Sequence, residues 1–359
     1  MRFPMRIALA VSAVLVACEH GAPFRPGEYG PDGPLNPGDP TRLTYNPGQD
    51  LLPAWFPHGS GIVYTGEKLD RADRDRCLAF LPAAGGVISH YVCRTTAPDD
   101  SVNVFEDAAL ARDSIAYVRA STERFLQGIA PDAQDLVVAT VVAPNSARVL
   151  QRLPFTAPWG GGGGTTYDAM SHLVWLGSGR IAGVGERVTH PIPCRGCPPD
   201  TIRTGIGVVI VDFTAATPAL SRLAVADSAS SLAADVTGDT LYFTRDGDSR
   251  VYRHVFSSGM TDTLYDFGFG IARDVSVANG TFAAVVGGAV SYAVDSILGG
   301  SQPDHGGPLF LFSPGNPPTQ LGDPAWRFRR PAVSPDGTHL VVSAWNTAAT
   351  ADLWLFQLP

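Results

Sequence analysis

The sequence predicts an all-β protein, a six-bladed β-propeller of four-stranded antiparallel blades closed by pairing of an N-terminal strand with the C-terminal blade. Gly and Pro make up 69 of the 359 residues, against roughly 12% in an average protein, which indicates many turns. The hydrophobic share of 45% is that of a globular chain. A pattern of strand, loop, strand, turn and strand recurs, and its last copy is split between the two chain ends.

The second hairpin of each repeat is the clearest part of the pattern. Each copy has β-branched or aromatic residues on either side of a turn of small residues, which is the usual signal of a β-hairpin. The copies lie at 77–93, 135–153, 207–225, 250–267 and 308–321. In the sixth copy, residues 352–358 supply the first strand and residues 42–45 supply the second.

The strands that precede these hairpins recur at intervals of 41 to 66 residues. Their centres are Ile62, Ile115, Ile181, Leu241, Phe282 and Leu340. Six units follow, although a seventh remains open if residues 130–139 begin a unit of their own. Sharing one sheet between the two termini closes the ring and removes open strand edges.

Two segments carry a family resemblance. Residues 51–65 (LLPAWFPHGSGIVYT) and 330–343 (RPAVSPDGTHLVVS) resemble the Pro-Ala-Trp-Ser-Pro-Asp-Gly repeat of TolB-like β-propellers. The second copy keeps Ser-Pro-Asp-Gly, whereas Phe56 and His58 replace Ser and Asp in the first. Pro-Asp-Gly is typical of a type I turn, so the resemblance implies the fold and gives no chemistry.

The N-terminus predicts a bacterial lipoprotein. Arg2 and Arg6 precede an apolar stretch of eleven residues, too short to span a membrane and typical of a secretion signal. Leu15-Val16-Ala17-Cys18 resembles a lipobox, which makes Cys18 the lipidated residue. An ordinary cleaved signal followed by a chance cysteine is the alternative.

The domain boundaries follow from this reading. Residues 1–17 are the signal peptide, residues 18–41 are the lipidated cysteine and a Pro/Gly-rich tether, and residues 42–359 are a single propeller domain. The predicted location is the bacterial cell envelope. Glu19 favours the outer membrane, on its periplasmic or surface side, because Asp at this position resembles an inner-membrane signal.

The charge balance limits the partners. The net charge is −8, and Lys68 is the only lysine, so nucleic-acid binding is not expected. The sequence predicts a monomer that contacts the membrane only through its lipid anchor. We expect an envelope protein or a glycan as partner, and we predict no cofactor.

Loop lengths indicate a binding face. If the strands of each blade are named a to d from channel to rim, the b–c connections share one end of the ring, here called the loop face. Four of them are long, near 66–76, 120–134, 186–205 and 288–307, and long loops are commonly functional. From their positions, the candidate binding residues are His190, Arg195, Asp304 and His305.

The cysteines predict two local disulfides. Cys77 and Cys93 lie at opposite ends of one hairpin, and Cys194 and Cys197 lie in the third b–c loop. In an oxidising compartment such pairs are expected to bond. For the second pair, a redox dithiol or a zinc site with His190 are alternatives. Zinc needs a fourth ligand that is not evident, so no metal site is predicted.

Other features are interpreted as structural. Gly160 to Gly164 is interpreted as a flexible link between blades two and three. The acidic groups around Asp75 and Asp248 lack the full calcium-loop pattern. His172, His190 and His305 are scattered and are interpreted as loop or packing residues. The tryptophans at positions 55, 175, 326, 345 and 354 fit an inter-blade core, whereas Trp159 is expected in a loop.

Two classes of function remain open. The first is a non-catalytic binding or scaffold module that acts through the long loops. The alternative is an enzyme (a lyase or a hydrolase) or a propeller that binds a small ligand or ion at its channel mouth. The first predicts a channel closed by apolar or small residues, whereas an enzyme predicts converging carboxylate, His or Arg side chains with perturbed pKa values.

Overall fold

A computed structural model provides the structure of this chain. It describes residues 40–45, 48–67, 75–83, 85, 87–94, 101–123, 133–158, 164–177, 179–189, 202–287, 293–294, 306–345 and 351–359. No α-helix occurs among these residues, and hence no helix there is long and apolar enough to cross a membrane.

Each blade is an antiparallel sheet whose strands follow the chain from the channel outward. Blade one comprises β2 (Asp50–Trp55), β3 (Gly61–Glu67), β4 (Arg76–Pro82) and β5 (Ser89–Val92). Blade two comprises β6 (Ser101–Leu110), β7 (Ser114–Glu123), β8 (Ala133–Thr140) and β9 (Ala143–Leu153). Blade three comprises β12 (Ala169–Trp175), β13 (Arg180–Thr189), β14 (Ile202–Asp212) and β15 (Ala219–Leu223). A small hairpin of β10 (Phe155–Pro158) and β11 (Gly164–Tyr167) links blades two and three.

The other three blades have the same order. Blade four comprises β16 (Ala229–Ala234), β17 (Thr240–Arg245), β18 (Arg250–Val255) and β19 (Met260–Asp266). Blade five comprises β20 (Ile271–Ala278), β21 (Thr281–Gly287), β23 (Leu309–Phe312) and β24 (Thr319–Leu321). Blade six comprises β25 (Arg327–Val333), β26 (His339–Trp345), β27 (Asp352–Gln357) and β1 (Thr41–Arg42). The short strand β22 (Ala293–Val294) lies in the b–c connection of blade five. Six blades are therefore present, and residues 133–140 are a third strand rather than the start of a seventh unit.

Pairing between the two ends of the chain closes the ring. Thr41 lies opposite Leu355 and Arg42 opposite Trp354, and Arg42 makes an ion pair of 2.6 Å with Asp352. The shared blade and the hairpins therefore confirm the topology predicted from the repeat.

In the described part of the chain, the hydrophobic core comprises six clusters, one at each contact between neighbouring blades. Because strand side chains alternate between the two faces of a sheet, each blade packs against both of its neighbours. The cluster that joins blade six to blade one contains Leu43, Leu353, Ile62 and Leu81. Such a closed series of interfaces requires every blade to be present.

Two tryptophans at the ends of inner strands connect neighbouring blades. The indole Nε1 of Trp55 donates to the Ala332 carbonyl at 2.9 Å, and that of Trp175 donates to the Ala109 carbonyl at 2.9 Å. The tryptophan of the Pro-Ala-Trp segment therefore ties its blade to the preceding one, which confirms its inter-blade role. Trp159 lies outside the described residues.

The Ser-Pro-Asp-Gly segment forms the turn between β25 and β26. Asp336 accepts from Ser334 Oγ at 2.5 Å and from the Thr338 amide at 3.0 Å, and Gly337 has a φ of +77°. These hydrogen bonds, led by that of Ser334, lower the pKa of Asp336 to about 2. The turn is a structural device, as the sequence predicts.

The hairpin of blade one is held by a disulfide and a buried ion pair. Cys77 and Cys93 are bonded, with their Cα atoms 4.8 Å apart, as the sequence predicts. Next to them, Asp75 accepts from Arg94 at 3.1 Å and from the Asn103 amide at 2.9 Å. Asp75 thus has a structural role, and the predicted Cys194–Cys197 bond lies outside the described residues.

Two expectations about connections need correction. The third b–c loop is shorter than predicted, because β13 and β14 remain paired from Glu186↔Gly205 to Thr189↔Ile202, as their β-branched residues favour. The glycine run is also more than a flexible link, since Gly164 pairs with Pro158 in the small hairpin. Residues 160–163 lie outside the described part.

Ring closure should control stability. Leu43 is 5% exposed in the cluster between blades six and one. We expect Leu43→Ala to lower the free energy of unfolding by about 2–5 kcal/mol, the usual cost of such a core truncation. Denaturant unfolding measures this change. The control is Val236→Ala, since Val236 is fully exposed and should change stability by less than about 0.5 kcal/mol; similar small changes in both variants would contradict closure by this strand.

Candidate functional site

The inner strands share a β-bulge near the channel. In five of them, two residues lie opposite a single residue of strand b. The bulged pairs are Leu52–Pro53, Asp107–Ala108, His172–Leu173, Arg273–Asp274 and Arg330–Pro331. Bulges bend a strand and redirect its side chains, so corresponding residues of different blades approach a common axis.

Four of these residues have a left-handed backbone that is unusual for residues other than glycine. The φ values are +55° at Leu52, +53° at Asp107, +51° at His172 and +50° at Arg330. Such conformations generally cost about 1–3 kcal/mol each and occur often at functional sites. Leu52 is apolar, which shows that the bulge belongs to the fold itself. The residues at the same position in three other blades, Asp107, His172 and Arg330, are polar and place hydrogen-bonding groups in the channel.

Asp107, His172, Asp274 and Arg330 form what we call the channel cluster. They come from blades two, three, five and six. Arg330 Nη2 lies 2.9 Å from Asp107 Oδ1, and the Arg330 amide donates to Asp274 Oδ2 at 2.8 Å. The His172 amide donates to Asp107 Oδ1 at 3.1 Å. Side-chain exposures range from 5% for Asp107 to 16% for Arg330.

The cluster holds His172 in its neutral form. Burial is the main cause of a pKa well below 6.5, and the positive charges of Arg330 and Arg329 lower it further. Asp274 Oδ1, at 3.7 Å from Nε2, does not offset these effects. Burial and the charge of Arg329 likewise lower the pKa of Arg273, against the opposing charges of Asp274 and Asp246.

This geometry corrects two expectations. His172 is neither an isolated loop residue nor a packing residue, because it joins three charged residues in the channel. The described part of the channel is also polar, rather than closed by apolar or small residues. Asp107, His172 and Arg330 occupy the bulge position that Leu52 takes in blade one, directly before Pro-Ala-Trp. Only an alignment of the inner strands on that segment would show this in the sequence.

The cluster is better suited to binding than to holding a metal. The guanidinium of Arg330 lies between the two carboxylates and supplies the positive charge that a metal ion would bring. Among the described residues, no group of three or more His, Cys, Asp or Glu side chains is arranged to hold a metal ion. Both carboxylates already accept hydrogen bonds from within the cluster.

The loop face carries the second notable feature. Backbone pairing joins the start of β14, directly after the third b–c connection, to β22 in the fifth b–c connection, with Ile202 opposite Val294 and Arg203 opposite Ala293. These are the two connections that contain the four candidate residues of the binding face. His190, Arg195, Asp304 and His305 themselves lie outside the described residues, as does Cys18.

Neutral His172 should make stability depend on pH. The unfolded chain takes up a proton at this histidine below pH 6.5, whereas the folded chain does not, so acid favours unfolding. Between pH 7.5 and 5.5 we expect His172 to account for about 1 kcal/mol of lost stability. In denaturant unfolding over this pH range, the free energy of unfolding of His172→Gln should therefore fall by about 1 kcal/mol less than that of the wild-type chain. The exposed His58 is the control, and equal pH slopes for His172→Gln, His58→Gln and the wild-type chain would contradict a neutral His172.

Comparisons with known proteins identify the fold. No protein-family profile matches the chain, and no curated protein matches it. Among solved structures, it resembles a luciferin-regenerating enzyme at 10% identity and a TM-score of 0.51, over 89% of this chain and 96% of the other.

Two further solved structures have lower TM-scores. A gluconolactonase from Xanthomonas campestris shares 15% identity over 90% of each chain, with a TM-score of 0.49. The β-propeller domain of Swd1 from Myceliophteria thermophila shares 9% identity over 89% of this chain and 100% of the other, with a TM-score of 0.48. At such identities a likeness shows the fold alone, and on its own topology this chain is a six-bladed β-propeller.

Proposed function

We propose that this protein is a non-catalytic binding module that recognises an envelope protein or a glycan on its loop face. The observation that carries the proposal is the pairing of β14 with β22. This pairing brings the start of β14 in blade three next to the fifth b–c connection, although blades three and five are not neighbours. Rigid scaffolds that present long loops in this way are common in recognition.

The channel cluster favours binding over chemistry. Asp107 accepts from Arg330 and from the His172 amide, and Asp274 accepts from the Arg330 amide. A general base must lie within hydrogen-bond reach of the proton that it takes, whereas both carboxylates are already engaged within the cluster. The enzyme alternative expects converging carboxylate, His or Arg side chains in the channel, and the cluster contains such side chains.

The proposal includes attachment to the bacterial envelope through Cys18, in a protein that resembles the TolB-like propellers. The direction of β1 supports an orientation in which the loop face points away from the membrane. Residue 41 lies opposite Leu355 near the end of β27, and the chain then runs towards Asp352 at the start of that strand. The b–c connection precedes β27, so β1 begins at the end of the ring away from the loop face, and a tether there would direct the loop face away from the membrane.

Lipidation can be tested by expression in a bacterial host with radiolabelled palmitate. We expect the wild-type protein to carry the label and to sediment with membranes. Cys18→Ser should lose the label and appear in the soluble fraction, because the tether then lacks its lipid anchor. Cys194→Ser serves as the control and should keep both properties; membrane attachment of unlabelled Cys18→Ser would contradict a lipid anchor.

Recognition by the loop face can be tested with two loop replacements. One variant replaces residues 190–201 with a short Gly/Ser linker, and the other replaces residues 295–305. In a crosslinking pull-down from the native envelope, we expect both variants to lose the same partner, because both connections contribute to one surface. The control replaces the β8–β9 turn at residues 141–142, on the opposite face, and should retain the partner. Capture of the same proteins by all forms would contradict the proposal.

A further inference from the structure

A cleft opens on the loop face between blades three and four. Its volume is about 820 Å³, which is a size typical of ligand sites. One wall contains the 3₁₀ turn Ala224–Ala226, in the connection from blade three to blade four, and the other contains the b–c turn of blade four at residues 246–249. The Asp246 amide donates to the Ser228 carbonyl at 2.9 Å and joins the two walls.

Several groups that line the cleft are held in place by one another. The guanidinium Cζ of Arg245 lies 4.2 Å from the ring centre of Tyr252, and its Nη2 donates to the Val225 carbonyl at 2.8 Å. Asp248 accepts from Arg250 Nε at 2.9 Å and also from the Tyr252 hydroxyl. Side chains that are already ordered lose less conformational entropy when a ligand binds.

The accessible charge of the cleft is negative. Asp248 pairs with Arg250, and Asp227 pairs with Arg222. Arg245 is half-buried under its contacts with Tyr252, whereas Asp246 is exposed and forms no ion pair with a described residue. A cationic group can therefore replace the water around the Asp246 carboxylate, while an anion would approach three carboxylates.

Two exposed apolar side chains flank the b–c turn of blade four. Val225 is 40% exposed on one side, and Phe269, in the connection from blade four to blade five, is 47% exposed on the other. The Ala272 amide donates to the Asp248 carbonyl at 2.8 Å, which places that connection against the turn. Apolar and aromatic anchors beside polar groups are the usual composition of a protein–protein interface.

We propose that this cleft binds a peptide segment of a partner protein in which an arginine or lysine side chain lies between apolar side chains. The basic side chain pairs with Asp246, and the apolar side chains contact Val225 and Phe269. The inference rests on the proposed function, because the cleft belongs to the loop face, and it specifies the chemistry of the partner. A neutral glycan offers no positive charge to Asp246 and is the competing outcome.

The test is a titration of the purified protein with three capped, fluorescein-labelled peptides, read by fluorescence anisotropy. Their sequences are Leu-Arg-Leu-Arg-Leu, Leu-Glu-Leu-Glu-Leu and Ser-Arg-Ser-Arg-Ser. We expect the first to bind saturably and the other two to bind at least about tenfold more weakly, because only the first has both positive charge and apolar side chains.

Two variants locate the site. Asp246→Asn should weaken binding of the first peptide about tenfold, as expected for a lost hydrogen bond between charged groups. Val225→Ser should weaken it roughly threefold through lost apolar contact. The matched control is Asp113→Asn, which removes the same charge from an exposed turn at the opposite end of the ring and should bind as the wild-type protein does.

Three results would overturn the inference. One is the absence of saturable binding by the first peptide. Another is equal binding of that peptide by the wild-type protein and both cleft variants, which would place the site elsewhere. The third is binding of the neutral glycan chitotriose that Val225→Ser weakens and Asp246→Asn does not.

The outcomes also separate this inference from the proposed function. The loop replacements at residues 190–201 and 295–305 leave the cleft residues unchanged. If those replacements lose the partner but the first peptide does not bind, only this inference is wrong. If the peptide binds in the cleft and all forms capture the same proteins, only the proposed role of the long connections is wrong.

Discussion

Closure of the ring is the constraint on which the rest of this structure depends. A series of blades that failed to meet would expose one face of the first blade and one face of the last, together with an open strand edge. Here β1 pairs with β27, and Leu43 and Leu353 complete a cluster with blade one. The core is thereby continuous around the ring, although no single interface is large.

Closure also explains why residues far apart in the sequence meet in the channel. All six inner strands face the same axis, and the bulges turn selected side chains towards it. Arg330 in blade six thus meets Asp107 in blade two, which is not its neighbour. Breaking a buried ion pair by removing one partner is costly, because the other charge remains without compensation. The pair therefore helps to specify how blades six and two, which flank blade one, are placed relative to one another.

Much of the fold could be predicted from the sequence, because repeats and turns act locally. The outer hairpins have clear alternation and small-residue turns, and the cysteines at 77 and 93 follow from the register of one hairpin. The split blade could be recognised because the last repeat lacks its outer strand. Trp55 and Trp175 were interpretable as inter-blade residues, since large aromatic side chains beside strands are usually buried.

The channel cluster was harder to predict for a physical reason. A shift of one residue in a strand reverses the direction of every following side chain, and simple alternation does not show where a bulge occurs. His172 was therefore interpreted as an isolated residue. The pairing of β14 with β22 was also missed, because it joins connections that are far apart in the chain and β22 has only two residues. The candidate residues of the binding face lie at 190–201 and 295–305, outside the described part.

A double-mutant cycle on Arg330 and Asp107 tests most directly whether closure of the ring brings residues of distant blades into contact in the channel. The measurement is the free energy of unfolding for Arg330→Gln, Asp107→Asn and the double variant, beside the wild-type chain. A direct ion pair across the channel predicts a coupling energy of about 1–3 kcal/mol, whereas the exposed Arg253–Asp262 pair should give less than about 1 kcal/mol. Additive effects of the two channel substitutions would contradict a pair that links blades six and two across the channel.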